Sequence, residues 1–480
     1  MKIREAKKGG MFGALRTLGS CRCFPFLSLS VLSFSLSYLL PVPRASCEEP
    51  ARRGFPWKLS GSFSLNWRNV GPRRPDFETQ IQNEVYLADL FFAFDGPMHD
   101  GIPYVIEFQM PTGGQGQPSL YRFNIQYDKI SHWNFQLGKF LVPFGRYNEL
   151  YRPDMFLTVT RPLLYASPDS LDLVVRLNSP RPPFSSGYTD IGARASYYPP
   201  GDHRIWPNEA TVFVVNGLSE ASNRSRTFPR PDNLGVPGPP PNGISIDFGH
   251  ENNNLADNNN NKAIGGRVVY ALGSLDLPWP IPEGKRDLNG ITFGVSAMGG
   301  QYNLEGTLNY TVLGFDMAFE YQGLNVAAEY MHSYTDFRSP LLSSTGTLLS
   351  PIQLATDYEA VQGYFVQTSY PLLRRPRWGK RLTGVAVYNQ MFRRGPGLSL
   401  LLPPSPININ GSNFTSVAAF DPNATRVGTR MDKLTLGFNF QVTDHIIWKY
   451  DYSYWSLVRA TTQTGRRDVY QHTLSVVMGF

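Results

Sequence analysis

Cysteine is missing from most of this chain. All three, Cys21, Cys23 and Cys47, fall within the first 47 of 480 residues. Residues 48–480 therefore hold no disulfide, no thiolate metal site and no cysteine nucleophile. Charge is scarce as well: Asp, Glu, Lys and Arg make up 17%, against about a quarter in ordinary soluble domains. Lysine is scarcest. After residue 47 it occurs only at Lys58, Lys129, Lys139, Lys262, Lys285, Lys380, Lys433 and Lys449. Beyond residue 48 no apolar stretch approaches the roughly 20 residues of a membrane-spanning helix. Mean hydropathy is −0.26, which also excludes a helical membrane bundle.

Catalytic signatures are absent too. The seven histidines (His99, His132, His203, His250, His332, His445 and His472) are scattered. There is no GxSxG, no HExxH and no glycine-rich phosphate loop. Ser131 and His132 are adjacent, and neighbours on a strand point to opposite faces. Glu320 and Glu329 are placed to meet across a hairpin, but as two wall carboxylates in a hydrated interior rather than an acid–base pair. The residues point away from an enzyme, and nothing calls for a cofactor or metal.

The first 47 residues read as an export signal. A basic front (Lys2, Arg4, Lys7, Lys8, Arg16, Arg22) precedes the apolar run 24–40 (FPFLSLSVLSFSLSYLL) and the exit PVPRASC. Met11 is a second candidate start. With 17 residues, five of them serine, the run is short and polar for an anchor helix. Arg44 stands where a lipidation motif needs an aliphatic residue, which argues against acylation of Cys47. With Arg44 the segment holds seven basic residues and one acidic, Glu5, or +6 of the chain's formal +7. The remainder is nearly neutral, at about +1, so the pI of 9.1 is no argument for a nucleic-acid partner.

What is present is alternation. Residues 470–480 (YQHTLSVVMGF) put Tyr470, His472, Leu474, Val476, Met478 and Phe480 on one face and Gln471, Thr473, Ser475, Val477 and Gly479 on the other. In 433–441, Leu434, Leu436, Phe438 and Phe440 oppose Lys433, Thr435, Gly437, Asn439 and Gln441. Ile446, Trp448, Tyr450, Tyr452 and Tyr454 oppose Ile447, Lys449, Asp451 and Ser453. Leu313, Phe315, Met317 and Phe319 oppose Asp316 and Glu320; Tyr121, Phe123, Ile125 and Tyr127 oppose Arg122, Asn124, Gln126 and Asp128. Period two over about ten residues is the mark of strands with one polar face. A soluble sandwich alternates as well, but buries its aromatics mid-strand. Here Trp67, Trp133, Tyr197, Tyr270, Tyr370, Trp448, Tyr454 and Trp455 recur at strand ends, where a water–lipid boundary favours them.

The fold class predicted is all-β: a transmembrane antiparallel β-barrel of about 16 strands (16–18) over residues 48–480. Starts are expected near residues 58, 80, 102, 120, 131, 186, 209, 263, 291, 310, 324, 358, 381, 432, 445 and 468. Long connections follow odd-numbered strands (141–185, 218–262, 335–357, 392–431), and short ones mostly follow even-numbered strands, as extracellular loops and periplasmic turns require. Two even-side connections, around 272–290 and 371–380, are longer than that rule. Segments 218–262 and 392–431 are too rich in proline and asparagine for regular structure and read as solvated extracellular loops.

Segment 141–185 differs, being partly apolar and rich in arginine. Leu157, Val159, Leu163, Leu164, Leu171, Leu173 and Val174 suit a loop folded into the barrel and packed on its wall. Its charges are Arg146, Arg152, Arg161, Arg176 and Arg181 against Glu149, Asp154, Asp169 and Asp172. The first four arginines, Glu149 and Asp154 are candidate constriction residues. The alternative is that these charges pair with one another and only pin the loop. Candidate lumen-wall residues are Arg122, Arg194, Arg267, Lys433 and Lys449 against Glu107, Asp128, Asp190, Glu320, Glu329 and Asp451.

GKFLVPFGRYNELYRPDMFLTVTRPLL (138–164), with TVFVVNGLSE (211–220), DNNNNKAIGGRVVY (257–270) and KLTLGFNFQVTDHIIWKYDYSYW (433–455), resembles bacterial porins of the phosphate-selective porin O/P-like family over about residues 58–480. The resemblance implies an outer-membrane barrel of 16 to 18 strands, commonly trimeric, that passes small solutes or ions. It further implies that Phe480 and the alternating 470–480 segment serve as the signal for the barrel-assembly machinery, with His472 replacing an aromatic. Phosphate selectivity is not carried over, because eight lysines and a nearly neutral body do not suit an anion pore; weak ion selectivity is expected, with a dedicated anion- or phosphate-selective porin as an alternative. A plugged receptor barrel lacks room before residue 58, and an adhesive or structural barrel acting through its long loops is the alternative to a channel.

Overall fold

The computed structural model describes residues 58–71, 83–97, 102–111, 119–150, 155–165, 184, 187–200, 207–220, 250–251, 261–273, 290–302, 306–321, 323–340, 354–375, 380–395, 398–401, 407–409, 412–414, 417–420, 427–459 and 467–480. The proposed signal, 1–47, lies outside them.

Sixteen strands form one closed barrel. They are β1 (Lys58–Gly71), β2 (Asn83–Pro97), β3 (Pro103–Pro111), β4 (Ser119–Tyr127), β5 (Trp133–Leu141), β6 (Thr189–Tyr197), β7 (Glu209–Val215) and β8 (Ala263–Gly273). There follow β9 (Gly290–Gln301), β10 (Asn309–Tyr321), β11 (Leu324–Pro340), β12 (Leu354–Arg375), β13 (Lys380–Gly395), β14 (Val427–Thr443), β15 (Ile446–Arg459) and β16 (Arg467–Gly479). Each pairs antiparallel with its sequence neighbours, and β1 pairs with β16 from Ser62↔Gly479 to Gly71↔Tyr470. Phe480 completes the seam: Gly61 N–H donates to its carbonyl and its own N–H donates to Gly61, both at 3.0 Å. Gly61 has to be glycine here, since a Cβ would run into the Phe480 ring and, at 2.6 Å, the Phe91 carbonyl oxygen. Closure leaves no unpaired edge, which a sheet in hydrocarbon cannot tolerate.

Period two sorts the side chains. Outward lie Leu137 and Ile264 (both 66% exposed), Val212, Val295, Leu313, Phe315, Leu434, Leu436 and Phe438. Inward and buried lie Ser62, Asn66, Asn124, Ser296, Thr435, Ser453, Thr473 and Ser475. The inner face carries these polar residues beside an apolar cluster that includes Phe365, Val387 and Met391, while the outer face is apolar, which matches a lipid solvent.

All sixteen expected starts fall within five residues of the observed ones. The four even-side residues 376–379 replace the longer turn expected at 371–380, because β12 runs on to Arg375 past a register shift at Pro371. Proline has no N–H for the ladder, so a bulge there is its natural place. Residues 274–289 do separate β8 from β9, yet Gly273 pairs with Gly290, so no hairpin is missing. The connections expected to lack regular structure hold small antiparallel pairs: Ser219–Glu220 with His250–Glu251, Leu398–Leu401 with Val417–Phe420, and Ile407–Ile409 with Ser412–Phe414.

Local expectations are corrected in four places. Tyr121 is buried rather than outward, because a bulge between β3 and β4 makes it the extra residue. Trp455 turns inward, opposite its neighbour Tyr454, and Lys433 Nζ sits 4.7 Å from its ring centre. Asp128 is exposed beyond the end of β4, so it is not a wall residue. Ser131 and His132 lie in the turn before β5, with His132 at φ 68°, not on a strand.

Candidate functional site

The connection from β5 to β6 folds against the inner wall. Asn148, buried in the single helical turn α1 (Arg146–Glu149), clamps its base. The Asn148 amide donates to the carbonyls of Val142 (2.8 Å) and Tyr188 (3.1 Å), and its oxygen accepts the Tyr188 N–H at 2.6 Å. Gly145, at φ 70°, lets the chain turn in; a Cβ there would strike the Glu329 carboxylate and the Tyr165 hydroxyl. Aromatic rings fill the bend. Tyr147 stacks on Phe156 (4.8 Å) and Tyr165 (4.7 Å) and meets Phe365 of β12 edge-on, while Phe184 packs between Phe144 and Tyr188.

The wall then grips the loop almost entirely by its backbone. Glu329 of β11 accepts the Tyr147 N–H (3.1 Å) and the Tyr165 hydroxyl. Burial, with the Glu329 carboxylate adding to it, pushes the Tyr165 phenol well above its ordinary range, so it remains a donor. Ser296 of β9 accepts the Gly145 N–H, and Asn389 of β13 accepts that of Leu163 at 3.2 Å. Asp451 of β15 takes the N–H of Val159 (2.6 Å) and Thr160 (2.9 Å) on one oxygen, along with the Thr160 hydroxyl (3.3 Å). Lys449 donates to the Phe156 carbonyl, Asn439 to that of Leu157 (2.8 Å) and Lys433 to that of Arg161 (2.6 Å). Residues 144–150 and 155–165 thus meet β9 and β11 to β15 from an origin between β5 and β6.

On the near side the charges form a ladder of alternating sign. Arg194 Nη2 lies 3.0 Å from Glu209 and 3.4 Å from Glu149, and Glu149 is 3.7 Å from Arg267 Nε. Arg267, 3% exposed, engages Asp316 with both terminal nitrogens at 2.7 and 2.9 Å, a planar fork on a carboxylate. The order is Glu209, Arg194, Glu149, Arg267, Asp316. Arg146 adjoins it. Burial and Arg267 lower its affinity for the proton, while Asp316, Glu149 and Glu320 oppose them; a guanidinium stays charged regardless. Elsewhere Arg122 pairs with Glu107 and Arg393 with Glu359.

Of the residues singled out in the sequence, Arg146, Glu149, Arg194 and Arg267 come together. Lys433, Lys449 and Glu329 meet the loop backbone instead. Arg161 is half-buried beside the Lys433 contact. Glu320 sits opposite Asn325, and the carboxylate opposite Glu329 is Asp316, so the expected Glu320–Glu329 meeting does not occur. Arg152, Asp154 and Arg176 lie outside the described residues. Sequence reasoning missed Asn148, Ser296 and Asn389, whose roles depend on partners remote in the chain and leave no local signal.

No protein-family model and no curated protein sequence matches the chain. Solved structures of similar architecture do match. They include the outer-membrane channel DcaP of Acinetobacter baumannii (12% identity, 88% of this chain and 97% of that one, TM-score 0.47). OmpF of Salmonella typhi, in complex with daunomycin, matches at 9% identity over 88% and 97%, TM-score 0.46. An anion-selective porin from Comamonas acidovorans matches at 10% identity over 88% and 99%, TM-score 0.44.

Proposed function

We propose that this chain is an outer-membrane porin, a passive channel for small hydrophilic solutes or ions with weak ion selectivity. The observation that carries this reading is the loop latched inside a closed barrel, with an apolar outer face and charged and polar residues on the inner one. A water-filled barrel of this width passes solutes, and an inward loop narrows it and sets what enters. We assign the constriction to the loop bearing Arg146, Glu149 and Arg161, with Arg152, Asp154 and Arg176 as further candidates. The long connections 218–262 and 392–431 face outward from the cell, residues 1–47 are removed on export, and Phe480 addresses the chain to the assembly machinery. A homotrimer and membership of the phosphate-selective porin O/P-like family belong to the same reading.

Weak selectivity follows from charge pairing. The ladder carries two guanidiniums and three carboxylates, and Arg146 brings it to balance. Opposite charges within bonding distance leave little field for a passing ion.

Single-channel recording of the refolded chain under a salt gradient tests this. Discrete steps with a reversal potential near zero are expected. A strongly anion-selective potential would favour a dedicated anion or phosphate pore. A folded barrel with no conductance would overturn the channel reading in favour of an adhesive or structural one.

A further inference from the structure

The outer wall carries a feature that a channel does not need. On β13 the inward residues Val385, Val387, Asn389, Met391 and Arg393 are all buried, so Tyr388, Gln390, Phe392 and Arg394 face out. On β14 Leu434, Leu436 and Phe438 face out and are exposed, and so does Arg430. Cross-strand register fixes the heights. Tyr388 pairs with Leu434, Gln390 with Asp432, Phe392 with Arg430 and Arg394 with Gly428. The apolar band therefore ends at Tyr388 and Leu434, and the polar residues begin one step beyond it. They lie at the end of the barrel from which the long connections leave.

Arg394 and Arg430 are diagonal neighbours on this outward face, a placement that sets Cβ atoms about 7–8 Å apart. Asp432 braces Arg430: its carboxylate takes Nε (2.9 Å) and Nη2 (3.0 Å), and also the Tyr388 hydroxyl (3.0 Å) and the Gln390 amide (2.9 Å). Arg430 Nη1 has no partner among the described residues, and the Arg430 side chain is 51% exposed. Arg394 is exposed and no described carboxylate pairs with it, since Glu359 points inward to Arg393. Its cross-strand partners are small, Ala360 on one side and Gly428 on the other. Among the described residues, two guanidiniums against one carboxylate leave a net cation at the upper rim of the apolar band.

We propose that Arg394 and Arg430 form a site for a phosphorylated lipid headgroup of the leaflet at the long-connection end. A phosphate accepts forked, charge-assisted hydrogen bonds from two guanidiniums, and arginine suits that geometry better than lysine. Gln362, opposite Phe392, supplies a neutral donor on one side, while the Gln390 amide is taken up by Asp432 and the Tyr388 hydroxyl. The tyrosines beneath, Tyr364 and Tyr388 with ring centres 6.1 Å apart, hold the interfacial level. This rests on the outer-membrane reading above.

The test uses the full chain, refolded in detergent, with lipid A as probe, either bisphosphorylated or dephosphorylated. Binding is measured by native mass spectrometry on wild type and on R394Q/R430Q. The phosphorylated probe is expected to bind wild type about tenfold more tightly than the double variant. The dephosphorylated probe should bind both alike and weakly. Equal binding of the phosphorylated probe to both proteins, or indifference to its phosphates, would overturn the site. Heat-modifiable gel mobility checks folding, and R394Q alone, at an exposed residue with no described partner, serves if the double variant fails to fold. The assay needs no current, so a barrel that conducts but ignores the phosphates refutes only this site. One that binds the lipid but passes no ions refutes only the channel.

Discussion

Replacing Asp451 with leucine removes the acceptor that holds the loop tip. One carboxylate oxygen takes two backbone N–H groups and a hydroxyl. An N–H stranded without an acceptor costs about 1–3 kcal/mol. Lys433 and Lys449 are also close enough to feel this charge, and their attraction to it goes with the carboxylate. These terms overlap, because the loop relaxes and water enters, so the latch loses about 3–5 kcal/mol in all. Local opening of residues 155–165 then rises by roughly 150- to 4,000-fold, since 1.4 kcal/mol is one decade. Amide hydrogen exchange at Val159 and Thr160 should accelerate by that factor. The strand amides should not change, because the ladder of β14–β15–β16 does not use this side chain. Asp451→Asn keeps an acceptor oxygen and should lose only about 1–2 kcal/mol. Unchanged exchange at 155–165 in the leucine variant would refute the claim that the wall positions the loop.

Other outcomes follow from the same geometry. Asn148→Ala deletes three buried hydrogen bonds at the loop base and should cost about 3 kcal/mol locally, read as faster proteolysis within 142–188 of an otherwise intact barrel. Arg267→Met leaves Asp316 buried without its fork and exposes Glu149 to the lumen; the reversal potential should move toward cation preference. Arg267→Lys should restore it only in part, since an ammonium cannot present two parallel donors. Gly61→Val drives a side chain into the Phe480 ring at the seam; the yield of heat-modifiable barrel should fall steeply, with Gly61→Ala intermediate.

The barrel was legible because its solvent inverts the usual pattern without changing its period. Every strand exposes apolar side chains at alternate positions, so even short segments announce themselves. Legibility failed where period two breaks: at the bulge that turns Tyr121 inward, at the turn holding His132, and at Pro371, where a longer strand absorbed an expected loop. The loop itself was visible in composition, as apolar residues where a solvated loop has no use for them. Its attachments were not. Asp451 and Val159 are 292 residues apart, and an aspartate that accepts backbone N–H groups looks, in sequence, like any other wall charge. Asn148 is likewise indistinguishable from a surface asparagine. The expected Glu320–Glu329 meeting failed by register, since the strand pairing sets Asp316 opposite Glu329.

The contacts that hold the loop tip have a consequence for how such a chain changes over generations. Lys433, Lys449, Asn389, Asn439 and Asp451 recognise amide and carbonyl groups that every non-proline residue offers. The address of residues 156–163 is therefore written in the wall, largely without reference to which side chains the segment bears. Substitutions along its free edge can retune what the molecule admits while its position stays fixed, whereas a single exchange among those five wall residues alters position and admission together. Inheritance can thus explore one property while holding the other constant.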